Sequence, residues 1–252
     1  MTTDIHLALA RSGRLMAHVL DPPGLGRCYA DRPSLDADLP DAVEAHLRWI
    51  DATGERAATP SSAEISVVEE VDVRGDFESG DDVGTFVTDL EFVSPSDVEG
   101  YLTIGRHAHE ELFRRAADIP SELLHRVPAA RRRSLSTNLT HVARAEMWYL
   151  TRIIDDPRLS GMPDALTLAD QEIDATIAGV DQVRIAWEAF QRHVRSLPDH
   201  VRADVMTPTW FCTIRDERWT VRKALRRCLE HCREHTWVME RILREVAGSA
   251  ER

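Results

Sequence analysis

Two patterns of apolar and polar positions divide the chain. Up to about residue 95 the apolar stretches are short and rich in β-branched residues: Ile5 to Ala10, Leu15 to Leu20 and Ile65 to Val73. Their imperfect alternation, clearest in Glu64-Ile65-Ser66-Val67-Val68-Glu69-Glu70-Val71-Asp72-Val73, predicts strands. Arg11-Ser12-Gly13-Arg14 separates the first two and predicts a hairpin turn with its glycine at positive φ. Leu35, Leu39, Ala42, Val43, His46, Leu47 and Ile50 recur at helical spacing, with Ser34 as candidate N-cap. Strand, strand, helix, strand makes a small α+β domain of residues 1–73. Residues 74–95 follow as an acidic connector, with Asp76, Glu78, Asp81, Asp82, Asp89 and Glu91 against Arg74. Its charge reads as a solvated linker, whereas Phe77, Phe86, Leu90 and Phe92 favour a docked segment.

From Ser96 onward the apolar period becomes helical. Ser94-Pro95-Ser96-Asp97 predicts a capped start, followed by Val98, Leu102, Gly105, His109, Leu112 and Phe113. A second helix is expected from about Ser136 to Ile154. A third begins near Thr167 and carries Ile173, Ile177, Val180, Trp187, Phe190 and Val194 before Pro198. A fourth runs from near Trp219 to about Val246. Four helices with apolar stripes predict a bundle over residues 96–247. The expected fold class is therefore α+β, a small α+β domain followed by an all-α four-helix bundle.

Composition narrows the function classes. With 252 residues, 43% hydrophobic and 29% charged, the chain has the balance of an ordinary globular protein. Its net charge of −12 argues against a phosphate-backbone binder. No uncharged apolar run approaches the roughly 18 residues a membrane span needs. Asp4, Arg11 and Arg14, with no apolar core between them, argue against a signal peptide. Cys28, Cys212, Cys228 and Cys232 are too few for a disulfide scaffold in a chain this long. A cytoplasmic location is expected.

The chemistry concentrates on the fourth helix. Its apolar stripe holds Val221, Ala224, Leu225, Cys228, Cys232, Met239, Ile242, Leu243 and Val246, and His231 and His235 fall within it. Two imidazoles at i and i+4 on one helix face can ligate one metal ion. His141, on a face of the second helix with Asn138, Ala145, Trp148, Tyr149 and Arg152, offers a third. Each histidine alone reads as a packed core or surface residue; three converging in a bundle core form a metal site of N donors, for which zinc, nickel, copper and iron are equal candidates. Cys228-x2-His231-Cys232-x2-His235 also resembles a four-ligand zinc set, but four ligands on one helix cannot surround an ion, so the cysteines are expected to be small core residues. His107 and His109 read as a surface pair. Arg131-Arg132-Arg133 and Arg222, Lys223, Arg226 and Arg227 read as solvated faces, the second group also able to receive an anion. Glu146 and Glu234 are weak candidates for a base or a partner behind a ligand.

Asn138-Leu139-Thr140-His141-Val142-Ala143-Arg144-Ala145-Glu146-Met147-Trp148-Tyr149-Leu150 resembles the second helix of DinB-like proteins. Trp219-Thr220-Val221-Arg222-Lys223-Ala224-Leu225-Arg226-Arg227-Cys228-Leu229-Glu230-His231-Cys232-Arg233-Glu234-His235-Thr236 resembles their fourth. The resemblance spans about residues 95–247. It implies a four-helix bundle with a divalent metal held by His141, His231 and His235, and an S-transferase or isomerase activity that uses a low-molecular-weight thiol on a small electrophile. The alternatives are a non-catalytic metal-binding stress or interaction protein and a thiol-independent hydrolase or cyclase. Arg152 is the expected anchor for an anionic substrate. Ala17-His18-Val19-Leu20-Asp21-Pro22-Pro23-Gly24 and Leu39-Pro40-Asp41-Ala42-Val43-Glu44-Ala45-His46-Leu47-Arg48-Trp49 resemble a HicB-like domain, which implies a small α+β fold and a regulatory partner as an option. The expected partners are a small-molecule substrate, no nucleic acid and no membrane, with a homodimer as an open option.

Overall fold

Gly13, at φ +87°, lets the chain reverse between β1 (Thr2–Ala10) and β2 (Leu15–Leu20), which pair antiparallel with His6 opposite His18. The computed structural model describes residues 2–54, 64–77, 82–117, 119–127, 133–154, 178–209, 212 and 214–248. After β2 come β3 (Pro23–Tyr29), α1 (Arg32–Thr53), β4 (Glu64–Val73), α2 (Pro95–Ala117) and the short α3 (Ser121–Leu124). These are followed by α4 (Leu135–Ile154), α5 (Gly179–Ser196), the short α6 (Asp199–Ala203) and α7 (Val221–Gly248). A four-stranded sheet followed by a helical region is the α+β architecture expected. Part of the third predicted helix, 167–177, lies outside the described residues, as do Glu78, Asp81, Arg131 and Arg132.

Grouped by contacts, the chain forms two compact units, Met1–Ile104 with Pro198–Glu230, and Gly105–Leu197 with His231–Arg252. The boundaries near 73 and 95 rest on the change of apolar pattern and the run of acidic charge, and the first unit takes in both the sheet and the described part of the acidic segment. Among the described residues no helix is long and apolar enough to cross a membrane.

The first unit is built on a sheet of order β3-β2-β1-β4. β3 turns the predicted hairpin into a three-stranded meander. Pro23, Gly24 and Gly26 hid it from the periodicity, but antiparallel pairing with β2 holds it in place. α1 then carries the chain across the sheet so that β4 can lie parallel to β1, a pairing that requires a crossover. The buried face of α1 is Leu35, Leu39, Ala42, Val43, His46, Leu47 and Ile50, as its periodicity predicts. Its cap differs: Asp31 is the N-cap and accepts from the Ser34 backbone N–H at 2.9 Å, while Ser34 Oγ accepts from Asp31 N–H at 3.2 Å. This reciprocal pair satisfies two donors at once and places Ser34 inside the first turn. Ala8, Ala10, Met16, Val73, Val83 and Phe86 form an apolar cluster, so the segment after β4 is docked at least through Val83 and Phe86.

The cations at the start of α7 are the main departure from the predicted surface. Lys223 and Arg226 have no exposed surface and Arg227 is 2% exposed, so these are buried charges and not a solvated face. Thr220 caps the helix, its Oγ1 accepting from Lys223 N–H at 3.1 Å. Lys223 Nζ donates to Glu217 Oε1 at 2.8 Å, Thr85 Oγ1 at 3.0 Å and the Arg218 carbonyl at 3.1 Å, which uses all three of its protons. Arg226 donates in a fork to Asp89, Nε to Oδ1 at 3.0 Å and Nη2 to Oδ2 at 2.7 Å. Arg227 Nη1 donates to Glu230 Oε2 at 2.7 Å, and His18 Nδ1 donates to Glu230 Oε1 at 3.0 Å. The acidic connector thus supplies Asp89 as a buried counter-charge, a need neither stretch shows alone.

This network makes the first unit acid-sensitive. Burial lowers the pKa of His18 to about 4, against the raising effect of Glu230. Burial would raise Glu230, but His18, Arg226 and Arg227 outweigh it and hold the carboxyl down to about 2. His18 titrates near 6.5 when unfolded, so its contribution is whole above that pH and is lost as pH falls from about 6.5 through 4. That of Glu230 is lost lower, as pH falls from about 4.5 through 2. Chemical denaturation from pH 7 to 4.5 should therefore show a falling stability, and His18→Gln should flatten that limb by about 3 kcal/mol. Equal slopes for the two proteins would refute the assignment.

In the second unit, α4 packs along α5, with Val142, Ala143, Met147, Val183, Ala186 and Phe190 buried. The C-terminal part of α2 and α7 pair through Arg115 and Glu240.

Candidate metal centre

A helical residue two turns away from a site cannot reach it, but i and i+4 positions project together. α7 accordingly presents His231 and His235 side by side, with ring centroids 4.3 Å apart. His141 of α4 meets them edge-on, its centroid 5.1 Å from His231 and 4.8 Å from His235. One ring nitrogen from each lies within 4.8 Å of the others. The structure therefore brings together all three histidines singled out by spacing.

Their surroundings suit ligation. His235 Nδ1 donates to Asn138 Oδ1 at 2.7 Å, and Asn138 Nδ2 returns a bond to the His235 carbonyl at 3.4 Å. A proton held at Nδ1 makes Nε2 the ligand atom, the usual way a neighbour fixes a metal-binding tautomer. Burial, with Arg133 adding to it, lowers His141 to about 4, so its ring is neutral at physiological pH. Tyr149 packs edge-on against His231 at 5.8 Å. This donor set fits a divalent ion of the imidazole-binding metals, with at least one position beyond the three ligands. Asn138→Ala should weaken metal affinity by roughly 10–100-fold while leaving the fold intact. Competition with a chelator of known affinity measures it, and an unchanged affinity would remove Asn138 from the site.

Arg152 lies one helical turn beyond Trp148, with its guanidinium 4.4 Å from that ring's centroid. Nε and Nη2 donate to Thr151 Oγ1 at 3.3 and 3.1 Å, and the residue has no exposed surface. It is a packed cation, so an anchoring role needs a substrate that reaches into the core. Glu234 is half-buried, and Cys228 and Cys232 are buried.

The surface pair expected of His107 and His109 is half right. His107 stays near the surface, 3.8 Å from Glu110, whereas His109 is 1% exposed. On a helix, residues two apart point in nearly opposite directions, so one side of the pair had to face inward. The stripe Val98, Leu102, Gly105, His109, Leu112 was the available signal. His109 Nε2 lies 2.7 Å from Glu146 Oε1, and Glu146, a weak candidate by sequence, is fully buried there.

A family model described as the DinB superfamily matches residues 105–239. No curated protein and no solved structure matches the chain.

Proposed function

Because this chain belongs to the DinB superfamily, we propose that it is a metal-dependent enzyme that uses a low-molecular-weight thiol to conjugate or isomerise a small electrophile. The observation that carries this reading is the convergence of His141, His231 and His235 from two helices. His141, His231 and His235 would hold a divalent ion through three nitrogens, and a three-residue ligand set is the kind that catalytic centres use to keep a position open for water, thiol or substrate. A divalent ion held there would supply Lewis acidity, making a bound water or thiol ionise near neutral pH. The chain's own residues set that chemistry up. Asn138 keeps the His235 proton on Nδ1, Tyr149 backs the His231 ring, and burial keeps His141 unprotonated. Arg152 is the proposed anchor for an anionic group. In this reading the protein works in the cytoplasm, and its N-terminal residues 1–73 are HicB-like.

A non-catalytic metal-binding role is the second reading, favoured by the full burial of Arg152. Metal-loaded protein assayed with mycothiol, bacillithiol and glutathione in turn, against a panel of electrophiles, separates the two. A chelator-sensitive rate with one thiol is expected. Turnover without any thiol would assign a hydrolase or cyclase, and stoichiometric metal with no turnover would assign the binding role.

A further inference from the structure

A second group of metal-ligating side chains lies in the same helical unit. His109 of α2, Glu146 of α4 and Cys232 of α7 bring a ring nitrogen, a carboxylate oxygen and a sulfur within 4.8 Å of one another. None is more than 1% exposed. His109 is fixed on both sides. Its Nδ1 donates to the Gly105 carbonyl at 2.7 Å, and its ring stacks on Trp187 with centroids 4.1 Å apart and planes 11° from parallel. Gly105 makes room for that stack, since a Cβ there would stand 2.6 Å from Trp187 Cη2. Nε2 is therefore the atom presented to Glu146. The other carboxylate oxygen, Glu146 Oε2, is buried and has no hydrogen-bond partner among the described residues. An orphaned buried acceptor costs about 1–3 kcal/mol and calls for an explanation.

We propose that His109, Glu146 and Cys232 form a second, closed metal site that takes a borderline-soft divalent ion of the zinc class. A nitrogen, a sulfur and a carboxylate are the donors such an ion collects, and the thiolate separates this site chemically from the all-imidazole centre. A histidine that gives its Nδ1 proton to a backbone carbonyl is already oriented to ligate through Nε2. With Glu146 bidentate, Oε2 gains its partner and the ion has four protein donors, leaving no position for water. One carboxylate and one thiolate cancel the ion's two charges, so the loaded cluster is neutral in a core that tolerates net charge poorly. Loading exchanges the ion for two protons. One leaves Cys232 Sγ, the other is that shared by His109 Nε2 and Glu146 Oε1, and both go to solvent as the N–O contact widens to the spacing of two ligands. Enclosed on all sides, the ion serves structure, tying α2, α4 and α7 together.

Cobalt(II) is the probe, loaded into the full chain after removal of other metals. Two equivalents are expected, with a near-ultraviolet thiolate-to-cobalt charge-transfer band. Cys232→Ser should abolish the band and one equivalent only, whereas His141→Ala with His235→Ala should remove the other equivalent and keep the band. The band in unmutated protein needs no variant, so a misfolded mutant does not rescue or sink the idea. Wild-type protein without the band, or a band that survives Cys232→Ser, overturns it. A band with a single equivalent supports this site and counts against the imidazole centre, so the two readings fail separately.

Discussion

His235→Ala should leave the purified chain one equivalent of metal short of wild type. The three-imidazole centre has no fourth side chain in reach among the described groups of potential ligands, so two histidines would have to hold the ion alone. Most of that loss comes from the ligand itself. His235 is only half-buried, and among the contacts its ring makes are those with His141 and His231 and the Asn138 bond. The expected thermal midpoint of the metal-free variant is therefore close to that of metal-stripped wild type. Elemental analysis after gel filtration reads the outcome directly. Equal stoichiometric metal in both proteins would show that the ion, if any, sits elsewhere.

Arg226→Ala should produce the largest loss of stability of any single change in the first unit. The substitution leaves Asp89 buried, still accepting from Phe86 N–H at 3.0 Å but without its cation. Glu230 keeps Arg227 and His18 and loses the Arg226 guanidinium 3.4 Å away. Breaking a buried pair by removing one partner costs about 3–5 kcal/mol. For a chain of this size that corresponds to a fall of roughly 6–20 °C in the unfolding midpoint. Adding Asp89→Asn to an Arg226→Met chain should recover part of it, because the uncompensated charge is then gone. A loss below about 1 kcal/mol for Arg226→Ala would mean that water reaches Asp89 and the network is not closed.

What could be read in advance depended on whether a residue's environment was local. The α1 face and the His231, His235 pair were legible because helical period alone decides which residues face inward. His141 joined them through a shared interior, which bundle geometry supplies. Glu146 could not be placed that way: five residues past His141, it points about 140° round the helix, toward a partner on α2 that no spacing within α4 reveals. β3 was invisible for a related reason, since Pro23, Gly24 and Gly26 lower its own strand preference and only the neighbouring strand restores it. Lys223 and Arg226 were misread because a buried cation and a solvated one look alike until the carboxylate opposite is located. Asp89 lay inside a run whose charge read as a solvated linker, and Glu217 carried no local signal of its own.

Arg226 and Asp89 are 137 residues apart in the chain, and His18 and Glu230 are 212 apart. A ribosome adding about 5–20 residues per second would need roughly 7–27 s to travel from the first carboxylate to its arginine. Throughout that interval the nascent N-terminal segment carries Asp89 without the Arg226 fork that faces it in the finished protein, and Phe86 lacks the guanidinium that lies 5.1 Å from its ring centroid. The four strands are made early and the buried charges of this unit are paired late, so the first unit should depend on holding factors at the exit tunnel until α7 emerges.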